Sequence, residues 1–449
     1  LWSFIFSPYT ILYLYNIIII YKLNTKFMDK LIIHGGSKIK GAINISGSKN
    51  ASLPILAATL LTGETCVIRN VPDVSDTNYM IQILSALGAE VERSSGVVRI
   101  TAANIGHDAP YEIVNKMRAS ICVMGPLVSR LGKATVSLPG GCVIGDRPVD
   151  LHLKGLQAIG ANIDMEGGNM NITSGDGLVG SEVNLRGKNG PTVLGTDNLM
   201  MAAVLAKGTT IIESAACEPE VVDLADFLNS MGAKITGAGT TRITIEGVDK
   251  LGGTDFTVIP DRIEAGTFMV AAAMCGDGVT LNRVVKEHLE PVTEKLIESG
   301  HDVKFNEEGN SVTVNIGENP KGGNIITAPY PGFPTDMQAQ FTALFSITPG
   351  ISVVEDTIFP QRFMHCAEMS RMGADINIDD GNAVIEGVNN LSGAPVMASD
   401  LRASAALVLV GLCAEGDTEI NRLYHIDRGY ENIDEKLLSL GAKVERISE

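Results

Sequence analysis

A thiol passes a proton or attacks as a nucleophile near neutral pH when a neighbouring cation depresses its pKa. That pairing occurs in Ser137-Leu138-Pro139-Gly140-Gly141-Cys142-Val143-Ile144-Gly145-Asp146-Arg147-Pro148, where Arg147 follows Cys142 by five residues. Its glycines and prolines oppose regular structure and let the backbone approach a ligand closely. Taken alone, the stretch reads equally well as a surface turn with an incidental cysteine.

A second set of candidates is cationic. Six helix starts read Ser48-Lys49-Asn50-Ala51, Met117-Arg118-Ala119-Ser120, Gly195-Thr196-Asp197-Asn198, Pro260-Asp261-Arg262-Ile263, Thr335-Asp336-Met337-Gln338 and Asp400-Leu401-Arg402-Ala403. Asp261 and Asp400 suit N-caps, and Thr335 to Gln338 has capping-box spacing. Lys49, Arg118 and Arg402 fit less well, because a cation in the first turn opposes the helix dipole. An anion would offset them, and helix N-termini are themselves anion sites. Phosphate or carboxylate groups are the natural ligands. Arg362, in Phe359-Pro360-Gln361-Arg362-Phe363, and Arg428, in His425-Ile426-Asp427-Arg428-Gly429-Tyr430, sit in turn-like contexts. Each reads singly as a surface ion-pair partner; together with the helix starts they suggest a cationic cleft.

The elements that must position these residues recur. An amphipathic helix ending in hydrophobic-Gly-Ala precedes a strand at Gly88, Gly160, Gly232, Gly373 and Gly441, with a degenerate copy at Ser299-Gly300-His301. The spacings are 72, 72, 68, 73 and 68 residues, a period that marks a repeated supersecondary unit. Glycine after a helix is the expected C′ residue, and Asp379-Asp380-Gly381-Asn382 before Ala383-Val384-Ile385 reads as a hairpin. Each unit also holds a helix apolar nearly all round, such as Ala265 to Met274, which must be buried. The expected fold is therefore α/β, with six units grouped three and three into two domains. Residues 28–48 should complete the domain of residues 260–449, leaving 49–259 as the other. The chain would then cross twice, near Ser46–Lys49 and near Ile259–Arg262.

At 449 residues the chain has room for two or three domains. A formal charge of −17 excludes the broad basic face that nucleic acid requires. Seven cysteines show neither a disulfide framework nor metal-ligand spacing, which suits a reducing cytoplasm. Residues 1–27 stand apart: they carry Trp2, the run Ile17 to Ile20, and only Lys22 and Lys26 as charges. They could span a bilayer, but they read better as an extension foreign to a protein that opens at Met28, so no membrane partner is expected.

The motifs resemble the UDP-N-acetylglucosamine 1-carboxyvinyltransferase family (enolpyruvyl transferases of the EPSP synthase superfamily) over essentially all of residues 28–449. The likeness rests on Ser46 to Ala51, Met117 to Ser120, Leu138 to Cys142 with Arg147 to His152, Phe333-Pro334-Thr335-Asp336-Met337-Gln338-Ala339-Gln340, Arg362-Phe363-Met364-His365 and His425 to Tyr430. It implies an inside-out α/β barrel: two domains of three similar units around buried helices, joined by a double-stranded hinge. It also implies transfer of the enolpyruvyl group of phosphoenolpyruvate to the 3′-hydroxyl of UDP-N-acetylglucosamine, through a tetrahedral ketal, with release of phosphate. No metal or organic cofactor is implied. Under that resemblance Cys142 is the general acid, able to form a covalent adduct with substrate or with fosfomycin, and Asp336 is the base. Lys49, Arg147, Arg362, Arg402 and Arg428 would hold phosphoenolpyruvate, with Asn50 alongside. UDP-N-acetylglucosamine contacts would fall on Arg118, Arg147, Pro148, Val149, Asp150, Leu151, Gly190, Pro191, Thr192, Val193, Asp336 and Ile358. His152, Asp261 and Asp400 would support them, and the Cys142 loop would close as a lid. Three departures from the usual family pattern stand out: Asp146, Cys122 and the turn Gly190-Pro191-Thr192-Val193-Leu194-Gly195-Thr196. The Asp146 charge would raise the Cys142 pKa. The nearest rival is 3-phosphoshikimate 1-carboxyvinyltransferase, which lacks the Pro-Gly-Gly-Cys loop; a non-catalytic nucleotide-sugar-binding paralogue is the other.

Overall fold

The five Gly-Ala signatures and the degenerate copy at Gly300 have one physical cause. Gly88, Gly160, Gly232, Gly300, Gly373 and Gly441 all lie at φ between +88° and +105°, where a Cβ is strained. In each copy the next N–H reaches back to the carbonyl five residues before it: Ala89 to Leu84, Ala161 to Leu156, Ala233 to Leu228, His301 to Leu296, Ala374 to Met369 and Ala442 to Leu437, all at 3.0–3.1 Å. This is the 6→1 bond of a Schellman helix end. It turns the chain directly into the next strand.

The computed structural model describes residues 29–138 and 149–448. Among them, twelve helices of seven residues or more run in chain order as α1 (Lys49–Ala58), α2 (Ser75–Ala86), α3 (Met124–Leu131), α4 (Asp150–Ala158), α5 (Val193–Ala203), α6 (Pro219–Ser230), α7 (Arg262–Cys275), α8 (Glu290–Glu298), α9 (Gln338–Ser346), α10 (Met364–Arg371), α11 (Leu401–Cys413) and α12 (Ile433–Ser439). The odd-numbered helices are the apolar ones, and they are inside. Ile263 to Cys275 of α7 and every residue of α9 are buried. Even-numbered helices end in the Schellman turns and keep a polar face outward.

Six sheets of three or four strands lie around these helices, besides a two-stranded hairpin at residues 186–191. In one of them Thr65–Arg69 pairs antiparallel with Val97–Thr101, which pairs with Glu90–Ser94. Its fourth strand, Asp255–Thr257, arrives in parallel from far along the chain. The hairpin at Asp380-Gly381 forms with both residues at positive φ, joining Asp375–Asp379 to Asn382–Glu386. The architecture is thus α/β with helices inside and separate sheets outside; among the described residues the sheets do not close into one barrel.

Buried apolar side chains fall into two clusters. One gathers residues between Ala51 and Val258; the other joins Leu31 to Ile45 with residues between Ile263 and Val444. Lys30–His34 lies between Asp417–Asn421 and Lys443–Ile447, and Ile39–Asn44 runs parallel to Gly276–Asn282. Two chain crossings lie side by side where the clusters meet. Ser48 N–H donates to Ile259 O at 2.7 Å, and Asp261 N–H to Ser46 O at 2.9 Å. A Cβ on Gly47 would fall 1.6 Å from the Asn70 carbonyl oxygen. Gly47→Ala is therefore expected to destabilise the protein by at least about 1–3 kcal/mol, the usual cost of overpacking, read as a lower midpoint in thermal unfolding. No helix among the described residues is long and apolar enough to cross a membrane.

Candidate functional site: a cationic cleft between two helical cores

Asp336 is the focus of the first charge cluster. Arg362 Nη1 donates to its Oδ1 at 2.9 Å and Arg402 Nη2 to its Oδ2 at 3.0 Å. Burial alone would raise the Asp336 carboxyl, but Arg402, Arg362 and Lys49 outweigh it and hold the group well below the usual carboxylate range. For Arg402 burial opposes the charge, and Asp336 more than restores it. Arg402 is 2% exposed and its guanidinium carbon lies 5.3 Å from the centre of the Tyr430 ring, a cation–π contact. The Tyr430 hydroxyl shares a 2.9 Å hydrogen bond with Thr267 Oγ1. Gln340 Nε2 donates to that Thr267 oxygen at 3.0 Å and to the Asp336 carbonyl at 2.9 Å. Arg362 is held from behind as well. Its Nη2 approaches Asp400 Oδ1 at 3.9 Å, while Asp400 caps α11 through the N–H groups of Arg402 and Ala403.

The second cluster bridges the two cores. Lys49 Nζ lies 3.2 Å from Asp76 Oδ2, and Arg428 Nε donates to Asp76 Oδ1 at 3.0 Å. Asp76 is 1% exposed in the first turn of α2, whereas Arg428 ends the 3₁₀ turn Leu423–Arg428 of the other core. Burial pulls the Lys49 ammonium below its ordinary range, Asp76 counters it, and Arg402 and Arg428 push it further down. Asp261 caps α7 and also accepts the Lys49 N–H at 3.1 Å, which ties the crossing strands to the start of α1. Asn50 is the next residue of α1 and half-buried.

The helix starts differ in detail from the sequence expectation. Thr335 makes no capping box: its hydroxyl donates to Asp356 Oδ2 at 2.6 Å, and Thr335–Met337 is a 3₁₀ turn with no side-chain cap. The hydroxyl hydrogen goes to the buried Asp356 carboxylate and the hydroxyl oxygen accepts from Arg362 Nη1 at 3.2 Å instead of from a helix N–H, a charge-assisted pairing on both sides. The helix placed at Gly195 starts at Val193, capped by Thr192 on Gly195 N–H; Asp197 is interior. Arg118 opens a 3₁₀ segment, Arg118–Val123, that leads into α3. Arg262 makes no bond to Asp336 but forms a buried two-bond pair with Glu220 at 2.9 and 3.2 Å.

The remaining candidates lie on α4 and on the hairpin before α5. Val149 caps α4, and Asp150, Leu151 and His152 form its first turn. Gly190-Pro191 pairs with Arg186-Gly187, and Thr192 and Val193 lead into α5. That hairpin crosses to the other core: Asn189 Nδ2 donates to Ile358 O at 3.2 Å, and a Cβ on Gly190 would meet Pro329 at 2.8 Å. Cys122 is fully buried, and burial pushes its thiol well up, so it packs rather than reacts. Cys142, Asp146, Arg147 and Pro148, with the lid expected around them, lie outside the described residues, as does the 1–27 extension.

Sequence reading missed Asp76, Asp356 and Tyr430. Asp76 looks like any acid in a first helical turn, as Asp150, Glu220, Glu290 and Asp434 also do, so no local signal distinguishes it. Asp356 shows locally only as a turn residue accepting from the Ile358 and Phe359 N–H groups; its other donors, the Thr327 and Thr335 hydroxyls, come from two distant segments. What the arrangement can do is hold a small polyanion. Four cations, Lys49, Arg362, Arg402 and Arg428, come from both cores and are paired with carboxylates that an incoming phosphate or carboxylate can replace.

Residues 33–437 match the family model described as EPSP synthase (3-phosphoshikimate 1-carboxyvinyltransferase). The chain is 69% identical to the UDP-N-acetylglucosamine 1-carboxyvinyltransferase of Akkermansia muciniphila, over 94% of this chain and 99% of that one. It is 57% identical, with the same coverage, to the protein of that name from Methylacidiphilum infernorum. Among solved structures, the enolpyruvyl transferase NikO from Streptomyces tendae superposes with a TM-score of 0.84 at 24% identity, covering 94% of this chain and 99% of that one. EPSP synthase from Acinetobacter baumannii gives 0.73 at 21%, over 93% and 100%. At that identity the two structures speak to the fold alone.

Proposed function

The chain belongs to the UDP-N-acetylglucosamine 1-carboxyvinyltransferase family, and from that premise we propose that it moves the enolpyruvyl group of phosphoenolpyruvate to the 3′-hydroxyl of UDP-N-acetylglucosamine, releasing phosphate. The observation that carries the reading is the pairing of Lys49, Arg362, Arg402 and Arg428 with replaceable carboxylates. Phosphoenolpyruvate brings both a phosphate and a carboxylate to such a site, with Asn50 and Arg147 completing the set. Nucleotide-sugar contacts fall on Arg118, Arg147 to Leu151, Gly190 to Val193 and Ile358, with His152, Asp261 and Asp400 in support. Residues 28–48 plus 260–449 form one domain and 49–259 the other, and the substrates sit between them.

The chemistry needs an acid and a base. The Cys142 thiol gives its proton to C3 of phosphoenolpyruvate as the sugar 3′-oxygen bonds to C2, and the hydroxyl proton goes to Asp336. The C2–O bond to phosphate then breaks, C3 returns a proton to the Cys142 thiolate, Asp336 passes its proton to the departing phosphate, and the enol ether and inorganic phosphate leave. Clamped by two guanidiniums, Asp336 is a weak base. Once phosphate or carboxylate oxygens engage Arg362 and Arg402, the clamp loosens and its proton affinity rises, so the base is armed only when phosphoenolpyruvate is present. The reaction would be the committed step of peptidoglycan synthesis in a bacterial cytoplasm.

The test is phosphate release from phosphoenolpyruvate with UDP-N-acetylglucosamine, with shikimate 3-phosphate as the control acceptor. Release with the nucleotide sugar alone supports the reading. Release with shikimate 3-phosphate alone would move the protein to the rival activity, and binding without release would leave a nucleotide-sugar-binding protein.

A further inference from the structure

Three segments assigned above to the nucleotide sugar meet at one side chain that no motif singled out. Asn198, on α5, is fully buried. Its Oδ1 accepts from Gly125 N–H at 3.0 Å, at the start of α3. Its Nδ2 donates to Ile121 O at 3.1 Å, in the segment opened by Arg118, and lies 2.9 Å from His152 Nδ1 in the first turn of α4. α3 and α5 approach so closely here that a Cβ on Gly125 would fall 2.4 Å from the Asn198 backbone oxygen and 3.1 Å from its Oδ1.

The backbone partners settle the amide's orientation. An N–H can only donate and a carbonyl can only accept, so Oδ1 must face Gly125 and the NH₂ must face Ile121. The second amide hydrogen then points at His152 Nδ1, which has to accept it. The ring proton therefore sits on Nε2, and an imidazolium would put two donors face to face. Burial and the nearby Arg118 charge act in the same direction, holding His152 down to about 4. The Arg118 charge acts on the ring from the 3₁₀ segment, Asn198 contacts it from α5, and α4 itself carries Asp150 and Lys154.

We propose that Asn198 is the positioning residue of the nucleotide-sugar half of the cleft. It ties the Arg118 segment, the first turn of α4 and the helix after the Gly190–Val193 turn into one frame, and it fixes His152 as the Nε2–H tautomer. This rests on the assignment of those segments to UDP-N-acetylglucosamine, so its test separates the two claims. Imidazole ¹⁵N shifts of the wild-type protein should show His152 as Nε2–H and untitrated from pH 5.5 to 8. In Asn198→Asp, a carboxylate oxygen replaces the amide nitrogen and invites a proton onto Nδ1, so His152 should titrate within that range. UDP-N-acetylglucosamine should then bind at least about tenfold more weakly, as expected for displaced binding groups, with a new pH dependence, while inorganic phosphate binds as before. An Nδ1–H or titrating His152 in the wild type overturns the proposal, whether or not the variant folds. So does a folded variant with wild-type affinity for the nucleotide sugar. A wild-type protein that binds no UDP-N-acetylglucosamine would overturn the positioning role together with the functional reading, and calorimetry on the wild type identifies that case.

Discussion

Asp336→Asn is expected to lower kcat by roughly 10²–10⁴-fold, the range associated with a positioned general base, without raising KM for phosphoenolpyruvate. The substitution keeps the side chain's shape and one acceptor oxygen, so the Thr335–Met337 turn and the Arg362 contact at 2.9 Å can persist. It removes the charge that neutralises Arg402 and presents an NH₂ to one guanidinium, two donors in opposition. Both guanidiniums become more available to a substrate anion, while the acceptor for the sugar proton is lost. Steady-state kinetics in both substrates measure the split. A kcat within tenfold of wild type would show that Asp336 is a structural counter-ion and that another group takes the proton.

Asp76→Asn should have its largest effect on stability. Lys49 and Arg428 would lose their shared carboxylate, and removing one partner of a buried pair costs roughly 3–5 kcal/mol. The lower end applies here because the Arg428 side chain remains 35% exposed. The thermal midpoint should fall by several degrees, and millimolar inorganic phosphate should restore much of it, since a phosphate can take the carboxylate's place between the two cations. Wild type should gain less from phosphate because its cations are already paired. The sign of the pH effect follows from Lys49. Burial already lowers its pKa and Asp76 counters that, so without Asp76 the ammonium loses its proton at lower pH. The alkaline limb of kcat/KM for phosphoenolpyruvate should therefore move downward. An unchanged midpoint, or equal rescue of both proteins, would show that Asp76 does not bear the charge of this site.

Much of the fold was legible because it is periodic. Each unit repeats the same local problem, a helix that must stop and turn into a strand, and glycine at positive φ is the local answer, visible at five positions and degenerate at Gly300. The inner helices were equally plain, because a segment apolar on every side has nowhere to go but inside. The cations at Lys49, Arg118 and Arg402 were legible as violations of the helix dipole.

Their partners were not. Asp76 and Lys49 are close in sequence, but nothing local says that the first turn of α2 faces the first turn of α1, or that Arg428 crosses from the other core to share the carboxylate. Thr335 to Gln338 had the spacing of a capping box, yet Asp356 took the hydroxyl. Asn198 looked like one more polar residue at a helix start. By itself the sequence determined the repeat, the buried helices and the family, since each depends on residue type and local spacing. Tertiary structure alone decided which charges meet, because a salt bridge or a shared amide depends on a distance in space, and in this chain the two ends of one such bond lie up to several hundred residues apart.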